Sequence, residues 1–170
     1  MSKIYDLNGE IRDLKDYQYG VPFFRKVFTN HQNNNEREIA NLLWKNPHSN
    51  IVKIYNVTYA YYDMELLYTS ETSPRDVTKY LMDAKKHLQE LGILYIDWRT
   101  DNIGMASDGS YKLFDFDASG IIDLNSPNDW LYEPPEFNLY KKAMKNGYRF
   151  PIEIDDWIFT SNIKRRSFFG

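Results

Sequence analysis

Three polar residues in the middle of the chain have the types and spacing suited to binding a metal ion. Asp97 and Asn102 lie five positions apart, and Asp115 follows Asn102 by thirteen positions. Carboxylate and amide oxygens are hard ligands that suit Mg²⁺, which proteins usually hold together with the phosphates of a substrate. The three residues therefore predict phosphoryl transfer from a nucleotide, with Asp97 facing the group beyond the ion.

A short hairpin is needed to bring two of these residues together. The apolar runs Ile103–Met105 and Tyr111–Phe114 flank an Asp108-Gly109 turn, which is typical of two antiparallel strands. Because the two ends of such a hairpin lie side by side, Asn102 and Asp115 are predicted to share one ion.

An amphipathic helix is predicted to lead the chain into this site. Its apolar residues recur at steps of four, three, four and three positions, and Gly92 follows as a C-cap. These apolar residues are Val77, Leu81, Ala84, Leu88 and Leu91.

Further strands and helices are predicted on both sides of this region from apolar periodicity and β-branched content. They comprise a strand at 23–28, a helix at about 35–45, strands over Ile51–Tyr62 and Met64–Tyr68 with Asp63 as the turn between them, and a final helix near Asp155–Ile163.

The central motif resembles that of the eukaryotic-like protein kinase superfamily. The catalytic loop of that family is H-R-D-x-x-x-x-N, and D-F-G follows it. This chain has Y-I-D-W-R-T-D-N at 95–102 and D-F-D at 115–117. The spacing agrees, whereas the histidine, the arginine and the last glycine are replaced.

Five other segments match the family in the same order. Lys26 in F-F-R-K-V-F corresponds to the lysine of V-A-I-K, and Glu38, with Glu36 as the alternative, corresponds to the glutamate that pairs with it. P-H-S-N-I-V at 47–52 resembles the family's H-P-N-I-V, P-P-E at 134–136 stands where A-P-E belongs, and D-D-W at 155–157 resembles the D-x-W that opens the large central helix.

The resemblance implies an α+β, bilobal, protein-kinase-like fold in a single domain over residues 1–170. The N-lobe, 1–68, is expected to be a small antiparallel sheet with one helix, and 69–74 the hinge. The truncated C-lobe, 75–170, is expected to be helical but reduced, because the family's later helices have no counterpart in the sequence.

The resemblance also assigns roles to the site residues. Lys26, held by Glu38, would steady the α and β phosphates of ATP, while Asn102 and Asp115 would bind Mg²⁺ or Mn²⁺. Asp97 would accept the proton of the acceptor hydroxyl or orient that hydroxyl, and Arg99 would replace the lysine that balances charge on the γ-phosphate. Asp117, in place of the D-F-G glycine, adds a carboxylate that binds a second ion or caps a turn.

Three functions remain open on the sequence. The first is an active protein kinase that phosphorylates Ser or Thr, favoured by the joint presence of the site residues. The second is a pseudokinase or decoy that binds a partner protein, favoured because residues 1–22 contain only Gly9 and Gly20 in place of a G-x-G-x-x-G loop. The third is a small-molecule kinase, which P-P-E and D-D-W disfavour.

Composition limits the partners and the cellular location. The 170 residues carry a net charge of −3, so no global basic field attracts nucleic acid or anionic membrane. No cysteine is present, which excludes disulfides and thiolate-bound metals, and no apolar stretch is long enough to span a membrane. We expect an intracellular protein. The bias to Asn, Lys, Ile and Tyr is typical of AT-rich genomes such as those of large DNA viruses, so the expected location is the cytoplasm of a cell or host, or a virion. Its expected partners are a protein substrate or a partner protein. Either a partner or a second copy of the chain is expected to cover the surface left by the missing helices.

Overall fold

The computed structural model describes residues 3–5, 11–13, 19–28, 35–69, 77–135 and 138–164. The described strands form small antiparallel sheets, and four α-helices accompany them. The strands are β1 (Lys3–Tyr5), β2 (Ile11–Asp13), β3 (Phe23–Val27), β4 (Ile54–Val57), β5 (Tyr61–Glu65), β6 (Ile93–Leu94), β7 (Ile103–Met105), β8 (Tyr111–Leu113), β9 (Gly120–Asp123) and β10 (Ser126–Tyr132); the helices are α1 (Asn35–Lys45), α2 (Thr78–Glu90), α3 (Asn138–Lys145) and α4 (Pro151–Phe159).

The three-stranded sheet in the first half of the chain, called the first sheet below, has the strand order β3-β5-β4, and α1 packs against it. Helix α1 buries Ile39, Ala40 and Leu43, which recur at helical spacing and face the sheet. Lys26 on β3 pairs in register with Tyr62 on β5. The predicted strand at 23–28 and helix at 35–45 are therefore confirmed, and the helix supports the strand that carries Lys26.

The predicted turn at Asp63 is wrong, because Asp63 lies in the middle of β5. The chain turns earlier, at 58–60, where the hydroxyl of Thr58 accepts hydrogen bonds from the backbone N–H groups of Ala60 and Tyr61. Asp63 is fully buried and binds the guanidinium of Arg25 at 2.7 and 3.0 Å. A buried carboxylate is tolerated in a strand when an opposite charge and hydrogen bonds compensate it, and the sequence pattern does not show that compensation.

The hairpin predicted between the candidate metal ligands is confirmed as β7 and β8, which pair antiparallel. Gly109 in its turn has φ +86°, a conformation that glycine adopts without steric cost. The hairpin also joins the two halves of the chain, since the backbone of Leu113 bonds to Asn50 and Val52, and Met105 bonds to Tyr68.

Helix α2 also follows the prediction, and it buries Leu81, Ala84 and Leu88. It ends at Glu90, and Gly92, two residues later, has a φ of +82°, the left-handed conformation common after a helix C-terminus. The chain then enters β6, which pairs with β9, and β9 pairs with β10. This three-stranded sheet was not predicted, so the second half of the chain is less purely helical than expected.

Helix α4 is confirmed as an element, but the residues that open it are not those predicted. It begins at Pro151, and a π-helical turn, Thr160–Lys164, continues it. Asp155 therefore lies within the helix and is fully buried. Together with α2 and the β6–β9 pair, α4 completes a continuous apolar core that includes Trp98, Ile154 and Phe159.

The architecture is α+β, in agreement with that part of the expected fold class. Within the described segments, no helix combines the length and the apolar character needed to cross a bilayer. Residues 70–74 of the predicted hinge lie outside the described residues, as does Glu136 of the P-P-E segment.

Candidate phosphoryl-transfer site

Lys26 lies between two carboxylates that come from distant parts of the chain. Its Nζ donates to Oε2 of Glu36 at 2.6 Å and to Oδ1 of Asp115 at 3.2 Å. Lys26 is placed by β3, Glu36 by the first turn of α1, and Asp115 by the end of β8. The cluster thus joins the first sheet, its helix and the β7–β8 hairpin at one point.

The prediction that Glu38 pairs with Lys26 is wrong, and the alternative, Glu36, is the partner observed. Glu36 is buried and shares one helix face with Ala40 and Leu43, at steps of four and three positions, whereas Glu38 is only half-buried. That shared face was visible in the sequence and would have identified Glu36. The side-chain amide of Asn35 also donates to the carbonyl oxygens of Ser119 and Glu133, which fixes the start of α1.

The charge on Lys26 is maintained in spite of its surroundings. Burial acts to lower the pKa of Lys26, but the carboxylates of Glu36 and Asp115 outweigh that effect and raise the pKa above its ordinary value. The buried hydroxyl of Tyr62 lies 3.5 Å from Oε2 of Glu36 and borders the same cluster. The ammonium group is therefore held as a fixed positive charge, which is suited to binding phosphate oxygens.

Asp97 is held within its own loop by the side chains of Asn102 and Arg99. The Nδ2 of Asn102 donates to the carbonyl oxygen of Asp97 at 3.0 Å and to its Oδ2 at 3.1 Å. Arg99 donates to Oδ2 at 3.3 Å. Burial raises the pKa of Asp97, although Arg99 and Asn102 act in the opposite direction. A buried carboxylate with a raised pKa is the usual state of a group that accepts a proton during a reaction.

The backbone that presents Asp97 is strained. Ile96 has φ +70°, which is unfavourable for a β-branched residue. The N–H of Asp97 donates to the carbonyl oxygen of Tyr95 at 2.8 Å, which closes a three-residue γ-turn. Such conformations cost about 1–3 kcal/mol and persist where surrounding structure enforces them.

Asp155 on α4 supplies that enforcement, although sequence reasoning gave it no site role of its own. Its Oδ1 accepts the N–H of Ile96 at 3.0 Å and the indole N–H of Trp98 at 2.7 Å, and its Oδ2 accepts from Gln89 at 3.1 Å. Burial raises the pKa of Asp155, while Lys85 and these donors oppose the shift. The D-D-W resemblance had drawn attention to this residue, but its contact with the Asp97 loop required the tertiary structure.

Asp115 also has a left-handed backbone, with φ +68°. The hydroxyl of Tyr95 donates to the carbonyl oxygen of the preceding residue, Phe114, at 2.5 Å, and Phe114 in turn donates its N–H to the carbonyl oxygen of Asn102 at 3.1 Å. These bonds tie the segment that carries Asp115 to the loop that carries Asn102. The two candidate ligands are thus brought to adjacent segments, as the hairpin predicted.

The carboxylates of Asp115 and Asp117 interact directly. Burial and the neighbouring Asp115 raise the pKa of Asp117 to about 6, while the hydrogen bond of Asp117 and the charge of Lys26 lower the pKa of Asp115 in spite of burial. Two adjacent carboxylates repel each other when both are ionised, so a proton or a cation shared between them stabilises the pair. Together with the amide oxygen of Asn102 they offer hard oxygen donors of the kind that Mg²⁺ takes, so the residues fit that ion.

Histidine and cysteine contribute nothing to this donor set. In the parts of the chain that the structure describes, no group of three or more His, Cys, Asp or Glu side chains is arranged to hold a metal ion. A cation here would therefore depend on Asn102 and on oxygens of its substrate, as is usual for Mg²⁺.

Comparison of the chain with models of known protein families, and with curated protein sequences, finds no match.

Proposed function

We propose that the protein transfers the terminal phosphoryl group of ATP to a hydroxyl group, and that its fold is the bilobal one of the protein kinases that the sequence resembles. The observation that carries this proposal is the position of Lys26 between Glu36 and Asp115, at 2.6 and 3.2 Å. A lysine fixed by a helical glutamate beside a metal-binding aspartate is the arrangement that steadies nucleotide phosphates in kinases.

The residues divide the work of the reaction by position. Lys26 would bind phosphate oxygens and would exchange part of its contact with Asp115 for them. Asp115, Asn102 and Asp117 would hold Mg²⁺, which when bound neutralises charge on the phosphates. Asp97 would orient the acceptor hydroxyl and accept its proton, a role that its raised pKa supports.

Arg99 links the proton acceptor to its surroundings. Its guanidinium lies within 3.1 Å of Asp97 and 3.5 Å of Asp101, and its side chain is about half exposed. From this position it would turn toward the γ-phosphate when the nucleotide binds, which would release Asp97 for the acceptor. We propose a Ser or Thr hydroxyl of a protein as that acceptor, in line with the family resemblance.

A second candidate is a pseudokinase that binds a partner and transfers nothing. It is favoured by the lack of a glycine-rich segment before β3, since such loops let backbone N–H groups approach phosphates. An active enzyme with this sequence would bind the triphosphate with side chains instead, and Lys26 and Arg99 are described cations that could do so.

One experiment separates the two candidates. The protein is incubated with γ-labelled ATP, Mg²⁺ or Mn²⁺ and generic protein acceptors, beside an Asp115→Asn variant. The matched control is Asp108→Asn, which removes an exposed carboxylate from the hairpin turn. Label that is transferred by the wild type and by the control but not by Asp115→Asn supports the enzyme. Thermal stabilisation by nucleotide without transfer supports the pseudokinase. If the protein shows neither transfer nor stabilisation, both candidate functions are contradicted.

A further inference from the structure

A pocket of about 530 Å³ opens beside the loop that carries Asp97. One wall is the loop itself, and the others come from the first turn of α3 and from the π-helical turn that follows α4. Its volume lies within the range of about 300–1,000 Å³ that is usual for ligand sites. Neither Lys26 nor its partners Glu36 and Asp115 line the pocket, whereas Asp97, the proposed proton acceptor, does.

One buried atom of Asp97 has no hydrogen-bond partner at this pocket. Asp97 is 3% exposed, and its Oδ1 accepts no hydrogen bond. The Nε of Arg99 lies 3.1 Å away from it but without hydrogen-bond geometry. Arg99 thus balances the charge of this oxygen but leaves it without a directed hydrogen bond, and a donor from a ligand would supply that bond once Arg99 turns toward the phosphate.

The lining of the pocket combines polar and apolar side chains, and its charged groups carry a net negative charge. Asp97 and Asp101 contribute two carboxylates, and Arg99, which lies between them, contributes one guanidinium. Asn138 and Asn162 add two amides on the opposite walls. The Nδ2 of Asn162 donates to the carbonyl oxygen of Trp98 at 3.1 Å, so α4 and its π-helical turn hold this wall against the loop.

This set of groups favours one kind of acceptor. Amides both donate hydrogen bonds to hydroxyl groups and accept them from hydroxyl groups, and ionised carboxylates accept them. The excess of one carboxylate attracts a cation and repels an anion, and that excess grows when Arg99 turns to the phosphate. An acceptor that carries phosphate or carboxylate next to its hydroxyl would meet like charges in Asp97 and Asp101.

We propose that this pocket binds the phosphoryl acceptor, and that the acceptor is an alcohol with a cationic group close to its hydroxyl. Asp101 selects the cation, and Asn138 and Asn162 orient the hydroxyl-bearing part against Asp97. The inference rests on the proposed phosphoryl transfer and adds the chemistry of the acceptor to it. The same chemistry is found in a serine flanked by basic residues and in a small amino alcohol.

The test compares acceptors that share a hydroxyl group and differ in the charge beside it. Three serine peptides with flanking lysines, alanines or glutamates represent protein acceptors, and glucosamine beside glucose represents small molecules. Within the peptide set and within the sugar set, kcat/KM is measured for each acceptor with the wild type, with Asp101→Asn and with Asn138→Ala. Glu90→Gln is the matched control, since it removes an exposed carboxylate at the end of α2, outside this pocket.

We expect the cationic acceptor to be preferred in the peptide set, in the sugar set or in both. Asp101→Asn should reduce that preference about two- to fivefold, as for an exposed ion pair. Added salt should reduce the preference in the wild type as well. Glu90→Gln should leave it unchanged. Asn138→Ala should raise KM by about two- to tenfold for the preferred acceptors, with kcat little changed, which is the loss of one hydrogen bond. Whether peptides or sugars respond identifies the source of the alcohol.

The inference and the proposed function fail in different ways. Transfer with no charge preference, or with a preference that Asp101→Asn and Glu90→Gln alter equally, overturns the inference and leaves phosphoryl transfer standing. If no acceptor is phosphorylated, calorimetric binding of the same five compounds decides. Binding that favours the cationic members and weakens in Asp101→Asn supports the pocket even in a pseudokinase, and binding without that pattern overturns it.

Discussion

Replacement of Asp155 should show that α4 holds the Asp97 loop in its strained conformation. In Asp155→Ala, the N–H of Ile96 and the indole N–H of Trp98 lose their acceptor, and both residues are fully buried. Each orphaned donor costs about 1–3 kcal/mol. Part of this is recovered because the variant no longer buries a carboxylate whose pKa burial has raised. We expect a net loss of about 2–4 kcal/mol in the free energy of unfolding.

Two further variants separate the effect of the acceptor oxygen of Asp155 from the effect of its negative charge. Both donors bind the same oxygen, Oδ1, so Asp155→Asn keeps an acceptor for them and changes only the group that faces Gln89. We expect it to cost about 1 kcal/mol or less. Asp156→Ala is the matched neighbour, because its half-exposed carboxylate binds Lys85 at the surface, and it should likewise cost less than about 1 kcal/mol.

Urea unfolding gives the three free energies, and amide hydrogen exchange at Ile96 reports the loop directly. Asp155→Ala should speed exchange at Ile96 and abolish phosphoryl transfer in urea-free buffer at temperatures where the variant is still folded. Asp155→Asn should do neither. If Asp155→Asn destabilises the protein as much as Asp155→Ala, the charge of Asp155 matters more than its acceptor oxygen, and the account of the strained turn is refuted.

Three shorter predictions test the site, the packing and the pH dependence. Glu36→Gln should lower kcat/KM for ATP about 10- to 100-fold, the value of a hydrogen bond to a charged group, whereas Glu38→Gln should change it less than about twofold; equal effects in steady-state assays would contradict the special role of Glu36. Gly104→Ala should lower the free energy of unfolding by about 1–3 kcal/mol, because its Cβ would meet the Cβ of Leu67 at 2.6 Å; an unchanged midpoint in urea would contradict this. His48 should contribute a loss of stability as the pH drops through 6.5, since burial and a neighbouring histidine lower its pKa and the unfolded chain then binds more protons than the native one at this residue. Asp117, whose pKa is raised to about 6, acts in the opposite direction at lower pH, so the test is the comparison with His48→Gln, in which the slope of unfolding free energy against pH should be smaller than in the wild type.

Local patterns in the sequence predicted the elements that depend on local chemistry. Helix α2 has a regular apolar stripe and a C-terminal glycine, and the β7–β8 hairpin has an Asp-Gly turn between apolar runs. These features specify their structures without help from distant residues. The spacing of Asp97, Asn102 and Asp115 could be interpreted for the same reason, because the hairpin fixes how the segments that carry them approach.

Residues stabilised by distant partners were not predicted. Asp63 was taken as a turn residue because aspartate is depleted in strands, yet Arg25 neutralises it from the neighbouring strand and Tyr19 donates to it at 2.6 Å. Strand β10 contains Pro127 and several polar residues, so its pairing with β9 depends on Trp130 and Tyr132 rather than on a continuous β pattern. In both cases tertiary contacts override local propensity.

The strained γ-turn at Ile96 shows why the two kinds of information must be combined. A sequence motif gives the order and spacing of Asp97 and Asn102, but a loop with these residues alone would relax, since an isoleucine at φ +70° is unfavourable. The fully buried Asp155 opposes that relaxation through two hydrogen bonds to the loop. Helix α4 is therefore part of the site and not merely part of the core beneath it. A variant that keeps every residue from 95 to 117 but loses the acceptor on α4 should keep the motif and lose the geometry on which the proposed reaction depends.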